Sequence, residues 1–240
     1  MSTLQGGGNI VRDGLVLLLD AANTKSYPGS GTVWTDLSRS GNNGTLTNSP
    51  TFNSSNGGNI IFDGINEYGS IPATNSTKFN GTDYSIACWV KVSSIHVSQY
   101  SGIFGRFSSA VSTTYNGYFL EAANNTGSDK FAIVVANNNS FGRVFSDSTI
   151  VFNKWYYLLA TSTSNVVRLY IDGLVQSTTL NFTTATIDNY PIMLGKYYTF
   201  AEYNTFFLPG SIGQCSIYNK SLSASEVLQN YNASKSRFGL

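Results

Sequence analysis

Acidic side chains at a suitable spacing would be the simplest source of catalysis in this chain. A retaining glycosidase needs two carboxyl groups about 5 Å apart, and residues two apart on a strand point to the same face. None of the four glutamates has an acidic residue two positions away; they are Glu67, Glu121, Glu202 and Glu226. Asp63 lies four residues before Glu67, but a turn is expected between them. The spacing therefore does not predict hydrolysis of a glycoside.

Histidine and cysteine provide little for nucleophilic or metal chemistry. His96 is the only histidine, and the two cysteines, Cys88 and Cys215, fall within predicted strands. This is too few ligands for a typical zinc site, and no G-x-S-x-G motif marks a serine nucleophile. The chain starts without a basic segment and apolar core, so we expect no secretory signal. Free buried thiols are therefore favoured over a disulfide, and we expect no catalytic residues and no enzymatic activity.

Aromatic residues are the best candidates for binding. Residues 196–207, KYYTFAEYNTFF, contain six aromatic side chains. Tyrosine can stack on the apolar face of a sugar while its hydroxyl bonds the rim, and it is equally suited to protein contacts. In the alternative interpretation, these rings serve core packing or a subunit contact, with the Phe rings buried and the tyrosines exposed. The predicted ligand-binding residues are Tyr197, Tyr198, Glu202 and Tyr203, with Tyr100 and Tyr115 in a second predicted loop.

The composition excludes two other classes of function. Charged residues make up 11% of the 240 residues, and 14 basic side chains nearly balance 13 acidic ones. A chain without excess positive charge is not steered to nucleic acid. The apolar run at 15–19 is too short to span a membrane. Hydrophobic residues, at 41%, suffice for a real core, so we expect a folded domain with no nucleic-acid partner and no membrane insertion.

Short apolar segments separated by Asn, Gly and Ser clusters predict a β protein. Strands spaced about 8–12 residues apart are typical of sandwiches and barrels. Asp172 and Gly173 predict a two-residue hairpin, because both positions accept a positive φ. Residues 24–50 lack periodicity and have Trp34 and Leu37 as anchors, so they are either functional or a set of tight turns. The predicted strands are 14–20, 59–62, 67–71, 84–92, 102–107, 117–122, 131–136, 142–145, 155–162, 166–171, 174–178, 191–196 and 211–218.

One short helix is predicted near the C-terminus. Ser223 and Glu226 have the spacing of a capping box, in which each side chain bonds the other residue's amide. Leu222 lies where a hydrophobic staple would begin. The apolar stripe expected to dock on a sheet is Val227, Leu228 and Tyr231. We therefore expect the helix to close a β domain.

Five segments in order resemble a known family. They are GLVLLLDAAN, NIIFDGINEYGSIP, YSIACWVK, NKWYYLLATSTSNVVRLYIDGLV and LPGSIGQCSIYNKSLSASEVLQNYNA. Their order resembles the laminin-G-like jelly rolls of the concanavalin A-like lectin/glucanase superfamily. The resemblance implies an all-β, antiparallel two-sheet jelly-roll sandwich with a concave groove, followed by the short helix. We divide the chain into an N-terminal arm (1–13), this jelly roll (14–233) and a C-terminal tail (234–240). The arm is either flexible or paired with another chain.

The superfamily includes glycosidases, lectins and structural modules, so the fold does not define the function. Its glycosidases carry an E-x-D-x-E type motif, which is missing here. Calcium is its common cofactor and takes six or more oxygen ligands; the candidate ligands are Asp20, Asp63 and Glu202. No pair of them has a recognisable loop spacing, and the closing strand has Gly213 and Gln214 where many relatives have acids. We expect no metal and no other cofactor, with calcium as the alternative.

The opening of the domain resembles a more specific group. Residues 13–48, DGLVLLLDAANTKSYPGSGTVWTDLSRSGNNGTLTN, resemble versions found in structural proteins of tailed bacteriophages, including cyanophages. This resemblance implies a non-enzymatic virion structural or decoration protein, assembled in the host cytoplasm. Its partners would be other virion subunits, copies of itself and possible host surface polysaccharide. The alternative is a lectin-like adhesin that recognises host surface glycans through the loop aromatics.

Overall fold

The computed structural model describes residues 9–80, 83–95, 100–110, 114–124, 127–138, 140–185, 190–197 and 206–240. In this part of the chain there are sixteen strands, one α-helix (α1, Ala224–Ser234) and three 3₁₀ turns, the last at Lys235–Phe238. The strands are β1 Leu15–Asp20, β2 Val33–Trp34, β3 Gly44–Thr47, β4 Thr51–Asn53, β5 Asn59–Asp63, β6 Tyr68–Ile71, β7 Tyr84–Val92, β8 Tyr100–Ala110, β9 Thr114–Ala123, β10 Lys130–Asn137, β11 Ser140–Phe145, β12 Trp155–Thr163, β13 Val166–Ile171, β14 Leu174–Asn181, β15 Ile192–Leu194 and β16 Pro209–Tyr218.

The strands form two antiparallel sheets. Sheet A has the order β14-β13-β12-β7-β16-β5-β4, and β1 pairs with the later part of β16. Sheet B has the order β11-β10-β9-β8-β15-β6-β3-β2. Near the centre of each sheet, neighbouring strands are distant in sequence, as in the pairs β7 with β16 and β6 with β15, which is expected for a jelly roll. The predicted all-β sandwich with one short C-terminal helix is confirmed.

Alternation along the strands separates the core from the outer faces. In β7, Ile86, Cys88 and Val90 point into the core between the sheets, whereas Trp89 faces outward. Cys215 of β16 pairs with Cys88, and their Sγ atoms are 3.5 Å apart. Both cysteines are buried free thiols. The apolar runs in β7 and β12 are nearly continuous because sheet A is covered on both faces.

The C-terminal elements cover the outer face of sheet A. The predicted capping box is confirmed: the Glu226 amide donates to Ser223 Oγ at 3.3 Å, and the Ser223 amide donates to Glu226 Oε2 at 2.8 Å. The ring of Phe238 stacks on Trp89 with centroids 4.1 Å apart, so the predicted tail is packed against the sheet. Leu228, predicted to dock, is instead 45% exposed. The helix instead docks through Val227, which is buried, and Tyr231, which packs partly buried against the same cluster.

Residues 24–50 contain two strands that the sequence did not indicate, β2 and β3. Periodicity cannot identify β2 because it has only two residues. Asp36 holds this segment in place: its carboxylate accepts the amides of Leu18 at 2.9 Å, Ser38 at 2.8 Å and Asn42 at 2.9 Å. Trp34 is fully buried. Trp34 therefore anchors this segment, as expected. The segment nevertheless contains two short strands and is not only a set of turns.

The hairpin predicted at Asp172 and Gly173 is confirmed. Their φ angles are 51° and 82°, the left-handed values that a two-residue turn requires. The Asp172 carboxylate also accepts the amide of Tyr157 at 2.8 Å. The turn is therefore tied to β12, which places β13 and β14 at the edge of sheet A.

Candidate ligand-binding face

The outer face of sheet B carries a cluster of aromatic side chains. In β9, Phe119 and Glu121 point outward, whereas Tyr118 and Leu120 point into the core. Arg143 of β11 pairs with a β10 residue that in turn pairs with Phe119. Because residues in register share a face, Phe119, Glu121 and Arg143 lie on the same outer surface.

The two ends of the predicted aromatic segment lie along this face. They pair with each other through an antiparallel bridge between Lys196 and Phe207, next to which the Leu208 amide donates to the Gly195 carbonyl at 2.9 Å. The segment is also joined to β8, because the Gly102 amide donates to the Phe206 carbonyl at 3.0 Å. A Cβ atom at Gly102 would come within 2.5 Å of the Tyr197 amide nitrogen. Glycine at this position therefore allows the chain to pass directly over β8.

Tyr197 is part of the packing beneath this crossing. Its ring stacks on Phe119 with centroids 4.4 Å apart and meets Phe107 edge-on at 5.7 Å. It is 6% exposed, and its hydroxyl donates a hydrogen bond to Oε2 of Glu121. Burial, together with the charge of Glu121, raises the pKa of Tyr197 well above its ordinary value. The hydroxyl therefore stays protonated and acts as a donor.

Glu121 is a fully buried acid with a donor on each oxygen. Arg143 Nε lies 2.7 Å from Oε1, and the Tyr197 hydroxyl binds Oε2. Burial raises the pKa of Glu121, and the Arg143 charge opposes the rise. The guanidinium of Arg143 loses hydration through burial, but Glu121 outweighs this and raises its pKa. Glu121 thus joins β9 to Arg143 of β11 and to Tyr197, and both of its carboxylate oxygens are engaged in these contacts.

The exposed part of this face is formed by three rings and one guanidinium. The Arg143 guanidinium lies 5.3 Å from the centre of the Tyr100 ring and 5.0 Å from that of Phe141. Phe141 meets Tyr115 edge-on at 5.3 Å and is 48% exposed. Tyr100 and Tyr115 are half-buried. We call Tyr100, Tyr115, Phe141 and Arg143 the aromatic platform.

The aromatic platform combines apolar ring surface with fixed hydrogen-bond donors. Glu121 takes the Nε–H of Arg143, so the two Nη groups are the donors that the guanidinium can present to a ligand. The two tyrosine hydroxyls can donate or accept. Ligand sites typically have aromatic walls with a few well-placed polar groups. This arrangement suits a ligand that has both apolar faces and hydroxyl groups.

The structure brings together three of the six predicted site residues. Tyr100, Tyr115 and Tyr197 lie in one cluster on sheet B, although the sequence placed them in two separate loops. Tyr100 and Tyr115 lie in strands β8 and β9 rather than in a loop. The burial of Tyr197 corrects the expectation that the tyrosines of the aromatic segment are exposed. Their role in ligand binding stays a prediction, and Tyr198, Glu202 and Tyr203 lie outside the described residues.

Sequence reasoning missed Phe141, Arg143 and the structural role of Glu121. Phe141 and Arg143 are two residues apart in β11, whose predicted start at Gly142 is two residues later than the observed start at Ser140. Extending that strand would have placed both side chains on one face. The contact between Arg143 and Glu121 crosses β10, and the sequence has no local signal for it.

The candidate calcium ligands have other partners. Asp20 Oδ1 is 2.6 Å from Arg237 Nη1, and its Oδ2 accepts from Gln214 Nε2 at 3.0 Å. Asp63 Oδ1 accepts the amide of Ile65 at 2.8 Å, as in a side-chain-closed turn. In the part of the chain that the structure describes, no group of three or more His, Cys, Asp or Glu side chains could hold a metal ion. These two residues do not fit a calcium site; Glu202 and His96 lie outside the described residues.

Packing explains the two unusual residues of the closing strand. A Cβ atom on Gly213 would lie 2.7 Å from the Phe238 ring, so a larger residue would displace the 3₁₀ turn that stacks on Trp89. Gln214 supports Asp20 next to Arg237. This strand is therefore part of the scaffold. Gly213 leaves room for Phe238, and Gln214 bonds the aspartate that pairs with Arg237.

Comparison with known proteins agrees with this architecture. Residues 62–228 match the laminin-G-type family model that is described as the concanavalin A-like lectin/glucanases superfamily. The match covers well over half of the chain, so the protein belongs to this family. No curated protein sequence matches the chain.

Several solved structures share the fold. The binding domain of Paraclostridial mosquitocidal protein 1 has a TM-score of 0.69 at 15% identity, covering 92% of this chain and 52% of that one. Domain 4 of an extracellular arabinanase from Geobacillus stearothermophilus, solved with arabinotriose, has a TM-score of 0.66 at 16% identity, covering 92% of this chain and 100% of that one. Trypanosoma rangeli sialidase with sialic acid has a TM-score of 0.67 at 14% identity, covering 93% of this chain and 33% of that one. The chain thus spans about half of the toxin chain and a third of the sialidase. At these identities the likeness shows the fold alone.

Among the described residues, no helix has the length and apolar character needed to cross a membrane.

Proposed function

We propose that this chain is a non-enzymatic carbohydrate-binding module that holds its ligand on the aromatic platform. The observation that carries the proposal is the exposed Phe141 ring beside Tyr115, with the Arg143 guanidinium held between Phe141 and Tyr100. The rings supply apolar area for the C–H faces of a sugar. The guanidinium supplies donors of fixed direction for its hydroxyl oxygens.

The platform is organised before any ligand arrives. The Arg143 side chain is held by the buried carboxylate of Glu121 and by two ring faces. Glu121 is in turn held by Tyr197. A group that is already ordered loses little conformational entropy on binding. This supports binding by the strand residues of sheet B rather than by a loop alone.

Similar folds support a binding role. Two of the structural neighbours are, by their descriptions, a toxin binding domain and an arabinanase domain solved with arabinotriose. A sialidase also shares the fold over part of its length. Glycoside hydrolysis uses two carboxyl groups that flank the scissile bond. Glu121 lies beneath the platform with both oxygens engaged, which favours binding over catalysis.

A glycan array tests this proposal. We expect wild-type protein to bind a subset of glycans, and Phe141→Ala to lose about tenfold in affinity, as for a central aromatic contact. Ile65→Ala is the matched control, because Ile65 is 72% exposed on the turn after β5 and is not part of the platform. No binding to any glycan, with or without calcium, would exclude the proposal. Equal loss in both variants would place the site elsewhere.

We further propose that the module is displayed on a bacteriophage particle as a structural or decoration protein. The support is the resemblance of residues 13–48 to tailed-phage structural proteins. In addition, the arm enters the domain on the side opposite the platform: the Val11 amide donates to Asn230 Oδ1 at 2.8 Å, and Gln229 donates to the Asn9 carbonyl at 2.8 Å. Attachment through the arm to virion subunits or to other copies of this chain would leave the platform facing outward.

Particle binding tests the virion proposal separately. We expect the purified protein to bind its own particle, and peptides of this chain to appear in a digest of purified virions. Light scattering with and without residues 1–8 would show whether the arm holds an oligomer together. The absence of these peptides from virions would exclude the virion role and would leave the carbohydrate proposal unchanged.

A further inference from the structure

A pocket opens where the edges of the two sheets meet. Its volume is about 520 Å³, which is within the usual range for small-molecule sites. Lys130 of β10, Arg143 and Phe145 of β11, and Thr178 of β14 are among its lining residues. The pocket therefore draws on both sheets, and its shape depends on how their edges approach each other.

Hydrogen bonds hold one wall of the pocket together. The Asp147 carboxylate accepts the Ser177 amide at 2.9 Å and the Ser177 hydroxyl at 2.6 Å. The Asp147 amide donates to Gln176 Oε1 at 2.8 Å. These bonds tie the segment after β11 to β14. They also lower the pKa of Asp147, with the Ser177 hydroxyl as the largest cause, so this acid remains a charged acceptor at neutral pH.

Charge and hydrogen-bonding groups indicate the class of ligand. Two cations line the pocket, Lys130 and Arg143, and one acid, Asp147. Arg143 also forms an ion pair with Glu121, which lies beneath it. Counting Glu121, the site has two positive and two negative side chains. A balanced site has no net attraction for a strong anion. Donors and an acceptor beside the Phe145 ring instead suit a neutral sugar, whose hydroxyls both donate and accept.

Arg143 connects this pocket to the aromatic platform. Its guanidinium contacts the Tyr100 and Phe141 rings, and the same side chain lines the pocket. We infer that the pocket is a second carbohydrate subsite, continuous with the platform through Arg143. The ligand is therefore an extended polysaccharide chain rather than a terminal monosaccharide. This inference rests on the proposed carbohydrate function.

Chain length gives the direct test. The probe is an array on which each glycan backbone is printed as a mono-, di-, tetra- and hexasaccharide. We expect wild-type affinity to rise beyond the disaccharide. Thr178→Phe, which places a ring in the pocket, should lose about tenfold for the hexasaccharide and little for the disaccharide. Thr179→Phe is the matched control, because Thr179 is the next residue of the exposed edge strand and does not line the pocket.

Lys130→Ala provides a second variant that removes a donor without adding bulk. We expect it to reduce hexasaccharide affinity in the same direction as Thr178→Phe. Affinity that is already maximal at the monosaccharide or disaccharide would overturn the inference, as would hexasaccharide binding unchanged in both pocket variants. In these cases Phe141→Ala would still lower glycan affinity about tenfold, so the proposed function would survive. If no glycan bound wild-type protein, the proposed function itself would fail, and the second subsite with it.

Discussion

Replacing Arg143 by methionine would isolate the buried carboxylate of Glu121. Glu121 is completely buried, and Arg143 Nε lies 2.7 Å from its Oε1. Unit charges about 4 Å apart attract by about 4 kcal/mol at an effective dielectric constant of about 20. Removing one partner of a buried pair typically costs about 3–5 kcal/mol. We therefore expect Arg143→Met to lower the free energy of unfolding by about this amount at neutral pH and above.

The loss should depend on pH in a defined direction. Burial raises the pKa of Glu121 above its ordinary value of 4.5, and the Arg143 charge limits the rise. An acid with a raised folded pKa contributes stability that is complete below its unfolded pKa and is lost as the pH rises through its folded pKa. Without Arg143 the folded pKa rises further. The difference between Arg143→Met and wild type should therefore be small near about pH 4.5 and grow towards about pH 8.

Urea unfolding measured across this pH range checks the prediction. The double variant Glu121→Gln/Arg143→Met should recover much of the loss at high pH, because it carries no buried charge. Arg168→Met is the control, since Arg168 is half-buried on β13 and pairs with no carboxylate within the described part of the chain. A loss for Arg143→Met that is the same at both ends of the range, with no recovery in the double variant, would refute the reasoning. It would mean that packing of the arginine, and not the buried carboxylate, sets the effect.

Three further predictions concern the scaffold. Gly213→Val should lower the unfolding free energy by about 1–3 kcal/mol through overpacking against Phe238, and thermal unfolding followed by circular dichroism would detect it; an unchanged midpoint would contradict the contact. Ser223→Ala should lose about 1 kcal/mol by removing the cap of α1, with urea unfolding as the measurement. Cys88 and Cys215 are both buried, and burial also raises the pKa of Cys215 well above its ordinary value. Both thiols should therefore resist a thiol reagent in the native protein and react in denaturant; rapid reaction of the native protein would show that they are accessible.

Local patterns were read correctly from the sequence. Ser223 and Glu226 are three residues apart, so one turn of helix brings them together whatever the rest of the chain does. Asp172 and Gly173 likewise form their turn through backbone preferences of their own. Most strands were also predicted, because alternation and Asn-Gly-Ser punctuation act over a few residues. The two-residue strand β2 was missed for the same reason, since it is too short to show a period.

Long-range contacts were beyond local reasoning. Tyr197 and Glu121 are 76 residues apart, and Glu121 and Arg143 are 22 apart with β10 between them. From the sequence, Tyr100, Tyr115 and Tyr197 were predicted as ligand-binding residues, but they were placed in two separate loops. The sequence did not indicate that one sheet would gather them, or that Tyr197 would be buried. Nothing in the sequence around Phe141 distinguished it from the other apolar residues that the structure exposes.

The amino-acid sequence by itself determined the class of fold, because composition, alternation and turn residues act locally and agree along the chain. It also determined the nearly neutral surface and the helix that closes sheet A. Only the tertiary structure decided which side chains form a surface. The pairing order of the strands places Tyr100, Phe141 and Arg143 together and joins them to the pocket between β11 and β14. That order depends on the packing of two sheets against a shared core, which no short segment contains.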